Sequence, residues 1–93
     1  MTKQIATLGI LIKNFEKISE VNALLHQFSD CIVSRLGLPY EKRNIRLINV
    51  VLDADDEDIK RLAENLNALD GVDAQAMLFY AFLMFLMAEF ERR

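Results

Sequence analysis

An acidic run, one histidine near one cysteine and a small group of cations are the residues of this chain whose types and spacing could do chemistry. Asp53, Asp55, Asp56, Glu57 and Asp58 form the one dense carboxylate cluster. A calcium loop needs alternating oxygen ligands, a central glycine and a glutamate at its twelfth position, and this run supplies none of these. The acids stand directly before an apolar stripe at Ile59, Leu62, Ala63, Leu66 and Leu69, where they complement the positive end of a helix. Helix capping and solvation are therefore their expected role. His26 and Cys31 flank the end of an earlier amphipathic stretch and are both transition-metal ligand types. Two ligands do not complete a coordination shell. A structural histidine and a small buried cysteine are the first reading, and a metal shared between subunits is the alternative.

Nucleophilic catalysis would set Cys31 or Ser34 beside an imidazole held by a third group, yet the chain has one histidine and no evident orienter. No catalytic residue is assigned, and the protein is expected not to be an enzyme. Gly9, Gly37 and Gly71 are isolated, so no glycine-rich phosphate loop exists and no cofactor is expected. Between Arg35 and Arg43 three cations and a phenol surround a turn. Arg35, Tyr40, Lys42 and Arg43 are the candidate residues for a small anionic effector, with a solvated hairpin end as the plainer reading.

The elements that must position these residues are read from hydrophobic period. Ile5 to Ile12 is short, aliphatic and stopped by Lys13-Asn14, which predicts a strand buried on both faces. Asn14 can cap the next segment, and Phe15, Ile18, Val21, Leu25 and Phe28 recur at helical spacing, predicting a helix over about 15–29. Residues 30–40 and 45–53 predict an antiparallel hairpin around the polar turn Glu41-Lys42-Arg43-Asn44. A second helix comes after the acids, Gly71 is a left-handed stop, and 72–80 alternates like a strand. The order βαββαβ predicts an α+β, ferredoxin-like sandwich: a four-stranded antiparallel sheet with both helices on one side. The helix-free face would then carry Ile5, Leu11, Leu47, Val51, Met77 and Phe79, too much apolar surface for water. Residues 1–80 are read as this domain and 81–93 as an apolar, helix-permissive extension that includes Phe82 and Phe85. An oligomer interface through Leu47, Val51, Met77, Phe79, Phe82 and Phe85 would cover both, giving a homodimer or homotetramer.

Composition narrows the partners. Ninety-three residues at 53% hydrophobic, with three Gly and one Pro, describe one globular domain. A chain of this size buries only roughly 60–65% of its unfolded surface, so an extra interface would help it. The net charge of −3 provides no general field for phosphate backbones, and direct nucleic-acid binding is not expected. The most apolar stretch, 76–88, is shorter than the ~20 residues that span a membrane, and no membrane partner is expected. A lone cysteine favours the cytoplasm over secretion. The N-terminal apolar run ends without a small-residue cleavage site and reads as a strand, not a signal peptide.

Several separated motifs add a resemblance. Val21-Asn22-Ala23-Leu24-Leu25-His26-Gln27-Phe28, followed by Asp30, Ile32 and Arg35-Leu36-Gly37-Leu38-Pro39-Tyr40, resembles the helix-to-hairpin signature of the iron-only hydrogenase system regulator family. Gly9-Ile10-Leu11-Ile12-Lys13-Asn14 is similar to its opening strand. Val51-Leu52-Asp53-Ala54 and Leu69-Asp70-Gly71-Val72 are similar to the end of its third strand and its last turn. The resemblance covers about residues 4–80 and implies a ferredoxin-like regulatory domain, related in fold to ACT domains and to the C-terminal sensing domain of nickel-responsive repressors. Such relatives commonly assemble through their sheets and bind effectors between subunits. The implied function is a small non-catalytic regulatory domain that binds itself and a small effector or a hydrogenase-maturation protein. Two alternatives remain open: a nickel-like metal sensor with an intersubunit site using His26 and Cys31, and a transcriptional co-regulator. The latter would need a separate DNA-binding partner, because the first sheet strand begins at about Ile5. The resemblance also implies several histidines with a cysteine at a nickel site, where this chain has one of each.

Overall fold

Side chains that alternate along one central strand organise this molecule, a computed structural model that describes residues 3–79. The elements in chain order are β1 (Lys3–Ile12), α1 (Ile18–Gln27), β2 (Ile32–Tyr40), β3 (Ile45–Asp55), α2 (Asp56–Asn67) and β4 (Val72–Phe79). The sheet is antiparallel throughout in the order β2-β3-β1-β4, the ferredoxin-like arrangement expected for βαββαβ. β1 lies between β3 and β4. Its even-numbered residues Ala6, Leu8, Ile10 and Ile12 are buried, in register with Leu52, Val50 and Ile48 of β3 and with Ala74 and Val72 of β4. Val21 and Leu25 of α1, four residues apart, close over this layer with Ile59, Leu62 and Leu66 of α2. No polar or charged side chain is buried among the described residues. Each fully buried Leu, Ile or Val here is worth about 1.5–3 kcal/mol relative to exposure, so this single layer carries most of the folding energy.

The other face of β1 is a correction to the expected strand buried on both sides. Ile5 is 40% exposed, and Thr7, Gly9 and Leu11 are half-buried. Both helices sit on the opposite side, so among the described residues nothing covers these positions.

Boundaries shift for local reasons. The stretch read as one helix over 15–29 is three pieces: a 3₁₀ turn at Phe15–Lys17, α1, and a second 3₁₀ turn at Ser29–Cys31. Asn14 does cap, accepting a hydrogen bond from the Glu16 N–H at 3.1 Å, but it caps the 3₁₀ turn. Cys31 consequently belongs to a turn, and the hairpin strand begins at Ile32. The polar turn closes as a 3₁₀ turn, Glu41–Arg43, with Asn44 left-handed at φ 53°. β3 continues to Asp55, and α2 begins inside the acidic run, with Asp56, Glu57 and Asp58 in its first turn. The Asp58 carboxylate also accepts from Arg61 at 2.7 Å.

Gly71 is left-handed as expected, with φ 73°, but it lies four residues beyond the end of α2, in the turn into β4. Two constraints meet there. Lys13 N–H donates to the Gly71 carbonyl at 2.7 Å, and a Cβ on Gly71 would stand 2.6 Å from the Cβ of Asn14. The turn entering β4 is thus pressed against the turn leaving β1. A second tie holds β4 from outside. Asn67, the last residue of α2, donates through Nδ2 to the Ala74 carbonyl at 2.9 Å and accepts through Oδ1 from the Ala74 N–H at 2.7 Å. One side-chain amide so occupies a donor and an acceptor of an edge strand. Nothing in the local sequence pointed to Asn67.

Gly71→Ala combines positive-φ strain with overpacking against Asn14, and should lower stability by about 2–4 kcal/mol in a denaturant titration. Asn67→Ala should cost about 1–3 kcal/mol in the same measurement, even though alanine is the better helix former by several tenths of a kcal/mol.

Candidate functional site

Period-two alternation sends every second residue of four strands to the face that lacks helices. Read across the sheet from β2 to β4, one row is Leu38, Leu47, Leu11 and Asp73. The next is Leu36, Asn49, Gly9 and Gln75, and the one after is Ser34, Val51, Thr7 and Met77. Asp53, Ile5 and Phe79 form a further row, and Tyr40 faces Ile45 at the hairpin end. Leu36 and Leu38 on β2 and Met77 on β4 are each more than half exposed. Leu47, Val51, Met77 and Phe79, the interface residues expected within the described range, therefore share one surface. Phe82 and Phe85 lie outside the described residues. At the centre of this face Gly9 has no side chain, and a shallow depression of about 230 Å³ opens between Leu11, Leu47, Asn49, Asp73 and Gln75.

The hairpin residues divide between the two faces. Arg35 and Tyr40 are an odd number of positions apart on β2, so their side chains leave opposite sides of the sheet. Arg35 is in register with the buried Val50 on the helix side, where it donates to Asn22 Oδ1 of α1. Tyr40 belongs to the helix-free face, 40% exposed. Lys42 and Arg43 lie exposed in the connecting turn. Within one chain these four residues do not converge on a point. On the helix side Arg35 instead shares a notch of about 240 Å³ with Arg46, Asn22, Gly37, Pro39 and Ile48. Arg46 is absent from the residues expected on sequence grounds, though counting back in twos from Leu52, Val50 and Ile48 reaches it.

His26 is exposed in the last turn of α1, and Cys31 is half-buried against the core. Cys31 lines a groove of about 420 Å³ with Asp30, Asp58, Phe28 and Arg61, and the Arg61 guanidinium lies 5.5 Å from the centre of the Phe28 ring. His26 does not line this groove. Among the described residues no three of His, Cys, Asp and Glu gather as metal ligands. Among the same residues no helix is long and apolar enough to cross a membrane.

Known proteins share this architecture. TM1266 from Thermotoga maritima is 30% identical and superposes with a TM-score of 0.80, over 84% of this chain and 99% of its own. The C-terminal domain of the MgtC protein from Mycobacterium tuberculosis is 16% identical, with a TM-score of 0.62 over 85% of this chain and 90% of that domain. A formyltetrahydrofolate deformylase from Pseudomonas putida KT2440 is 15% identical, with a TM-score of 0.57 over 78% of this chain but 28% of the enzyme. The last two share the fold alone. No curated protein matches the sequence. A family model described as a regulator of the iron-only hydrogenase system matches residues 4–76, most of the described sandwich. By that match and by its likeness to TM1266 along nearly the whole of the latter's length, the chain belongs to the TM1266-like iron-only hydrogenase system regulator family.

Proposed function

We propose that the chain is a non-catalytic, cytoplasmic regulatory module that works as a homo-oligomer, with a second copy covering its helix-free sheet face. The observation that carries this reading is the apolar surface running from Leu36 and Leu38 on β2 through Leu47 and Leu11 to Met77 and Phe79 on β4. A four-stranded face of this length measures about 19 Å by 30 Å, so two copies face to face would bury roughly 1,100 Å², above the ~1,000 Å² a biological interface needs and just under the ~1,200 Å² at which stable ones begin. Phe82 and Phe85, the other interface residues expected from the sequence, belong to the apolar segment outside the described residues. Three of the polar residues of the face, Asn49, Gln75 and Asp73, surround the depression at Gly9 and would set the register of the pair.

For the effector, a small molecule or a hydrogenase-maturation protein, we place the contact at the β2–β3 hairpin. Arg35, Lys42 and Arg43 supply positive charge there, and Tyr40 borders the face that meets the neighbouring subunit. Family membership supports the regulatory role, because the family is described by regulation of the iron-only hydrogenase system.

Light scattering at micromolar concentration should find a dimer or tetramer. Leu38→Glu combined with Met77→Glu should give a monomer of unchanged helical circular dichroism, since both positions are more than half exposed. A wild-type monomer would remove the assembly. In a host that makes an iron-only hydrogenase, deleting the gene for this chain should change hydrogen evolution, wild type should restore it, and the double glutamate variant should not. Unchanged evolution on deletion would remove the regulatory reading.

A further inference from the structure

We propose that the helix-side notch between α1 and the β2–β3 hairpin binds a small oxyanion, a phosphate or carboxylate group gripped between Arg35 and Arg46. This rests on the effector-binding reading above and names the chemistry that such an effector would carry.

The notch arises because the hairpin outreaches the helix that covers it. α1 has ten residues and is about 15 Å long, whereas β3 has eleven and is about 36 Å. Under the helices the inward positions of β3 are apolar: Ile48, Val50, Leu52 and Ala54 are all buried. Towards the hairpin end both strands change character together. The inward positions become Arg35, Gly37 and Pro39 on β2 and Arg46 on β3. Gly37, in register with Ile48, leaves open space between the two arginines: a Cβ added there would meet nothing within 4 Å.

Two guanidinium groups lining one concavity repel each other unless an anion lies between them. Neither Arg35 nor Arg46 has a carboxylate within 4.0 Å, whereas Arg61, Lys17 and Lys60 do, among the described residues. The partner that Arg35 does have, the Asn22 side-chain oxygen, is uncharged, so it orients the guanidinium and leaves the charge uncompensated. Arg46 is half-buried, which reduces the screening of its charge by water. Each planar fork of N–H donors matches the spacing of carboxylate or phosphate oxygens. A volume of about 240 Å³ falls below the range of drug-sized pockets and suits a compact group, not a whole nucleotide.

The test is calorimetric titration of the full chain with inorganic phosphate and, in a second arm, with malonate. The better of the two identifies the oxyanion. Arg46→Gln should weaken its binding ten- to a hundredfold, the effect of losing one charge-assisted contact. Gly37→Val keeps both charges and fills the open space, and should weaken binding at least tenfold with the oligomeric state unchanged. A Lys60→Gln variant, on the exposed surface of α2 and away from the notch, should bind within twofold of wild type. If neither anion binds at millimolar concentration, or if binding survives both Arg46→Gln and Gly37→Val, the notch is not the site. Loss of binding in the Lys60→Gln variant would also overturn it, because a general attraction to exposed cations would then explain the titration. A monomeric chain that still binds the oxyanion through Arg46 would sink the assembly while leaving this site standing.

Discussion

Two helices can cover only one side of a four-stranded sheet, and the organisation of this protein depends on that shortage of cover. Ala6, Leu8, Ile10 and Ile12 take the covered side of β1, and Val21, Leu25, Ile59, Leu62 and Leu66 complete a layer without a polar member. Everything that alternates with those residues is left to the other side. The same strands that build the core therefore build the open surface, and the pleat forbids changing one register without the other. Apolar residues on that second side are less covered than those of the core, and the proposed assembly accounts for their presence on all four strands.

The sheet edges are treated differently from its open face. On β4 the Asn67 amide occupies the outward N–H and C=O of Ala74, and on β2 the irregular register between Ile32 and Ser34 and the missing N–H of Pro39 interrupt the ladder. Both devices discourage strand addition at the rim. An open face meets a neighbour by side chains, a contact more selective than backbone pairing.

Most of the architecture was legible because it is written in period. The aliphatic run 5–12, the hairpin over 30–40 and 45–53, the alternation of 72–80 and the three-and-four spacing of Val21, Leu25, Ile59, Leu62 and Leu66 suffice for βαββαβ, and Gly71 marked its turn correctly. Boundaries slipped where one residue type serves two structures: the aspartates before Ile59 suit both a strand end and a first helical turn. By its own composition β1 reads as buried on both faces, because aliphatic residues occupy both phases of its alternation; only the βαββαβ order assigns Ile5 and Leu11 to the helix-free side. Arg35, Tyr40, Lys42 and Arg43 are near one another in sequence, whereas strand parity separates Arg35 from Tyr40 and the β2–β3 register joins Arg35 with Arg46. Asn67 left no mark, since an asparagine near a helix end has many ordinary uses and its partner is a backbone group seven residues on. Residues that act through tertiary geometry carry no local signal.

The hydrogen bond from Lys13 to Gly71 and the pairing of β1 with β4 have a kinetic side. They join the first strand of the chain to the last, so the largest loop in the molecule must close before the sheet is complete. Contacts of such long sequence separation slow folding, because loop entropy is lost before the new pairing compensates for it. Without β4, β1 would itself be an edge strand, with aliphatic side chains on both faces and an open row of backbone donors and acceptors. The turn at Gly71, packed against Asn14, therefore also helps keep that edge covered.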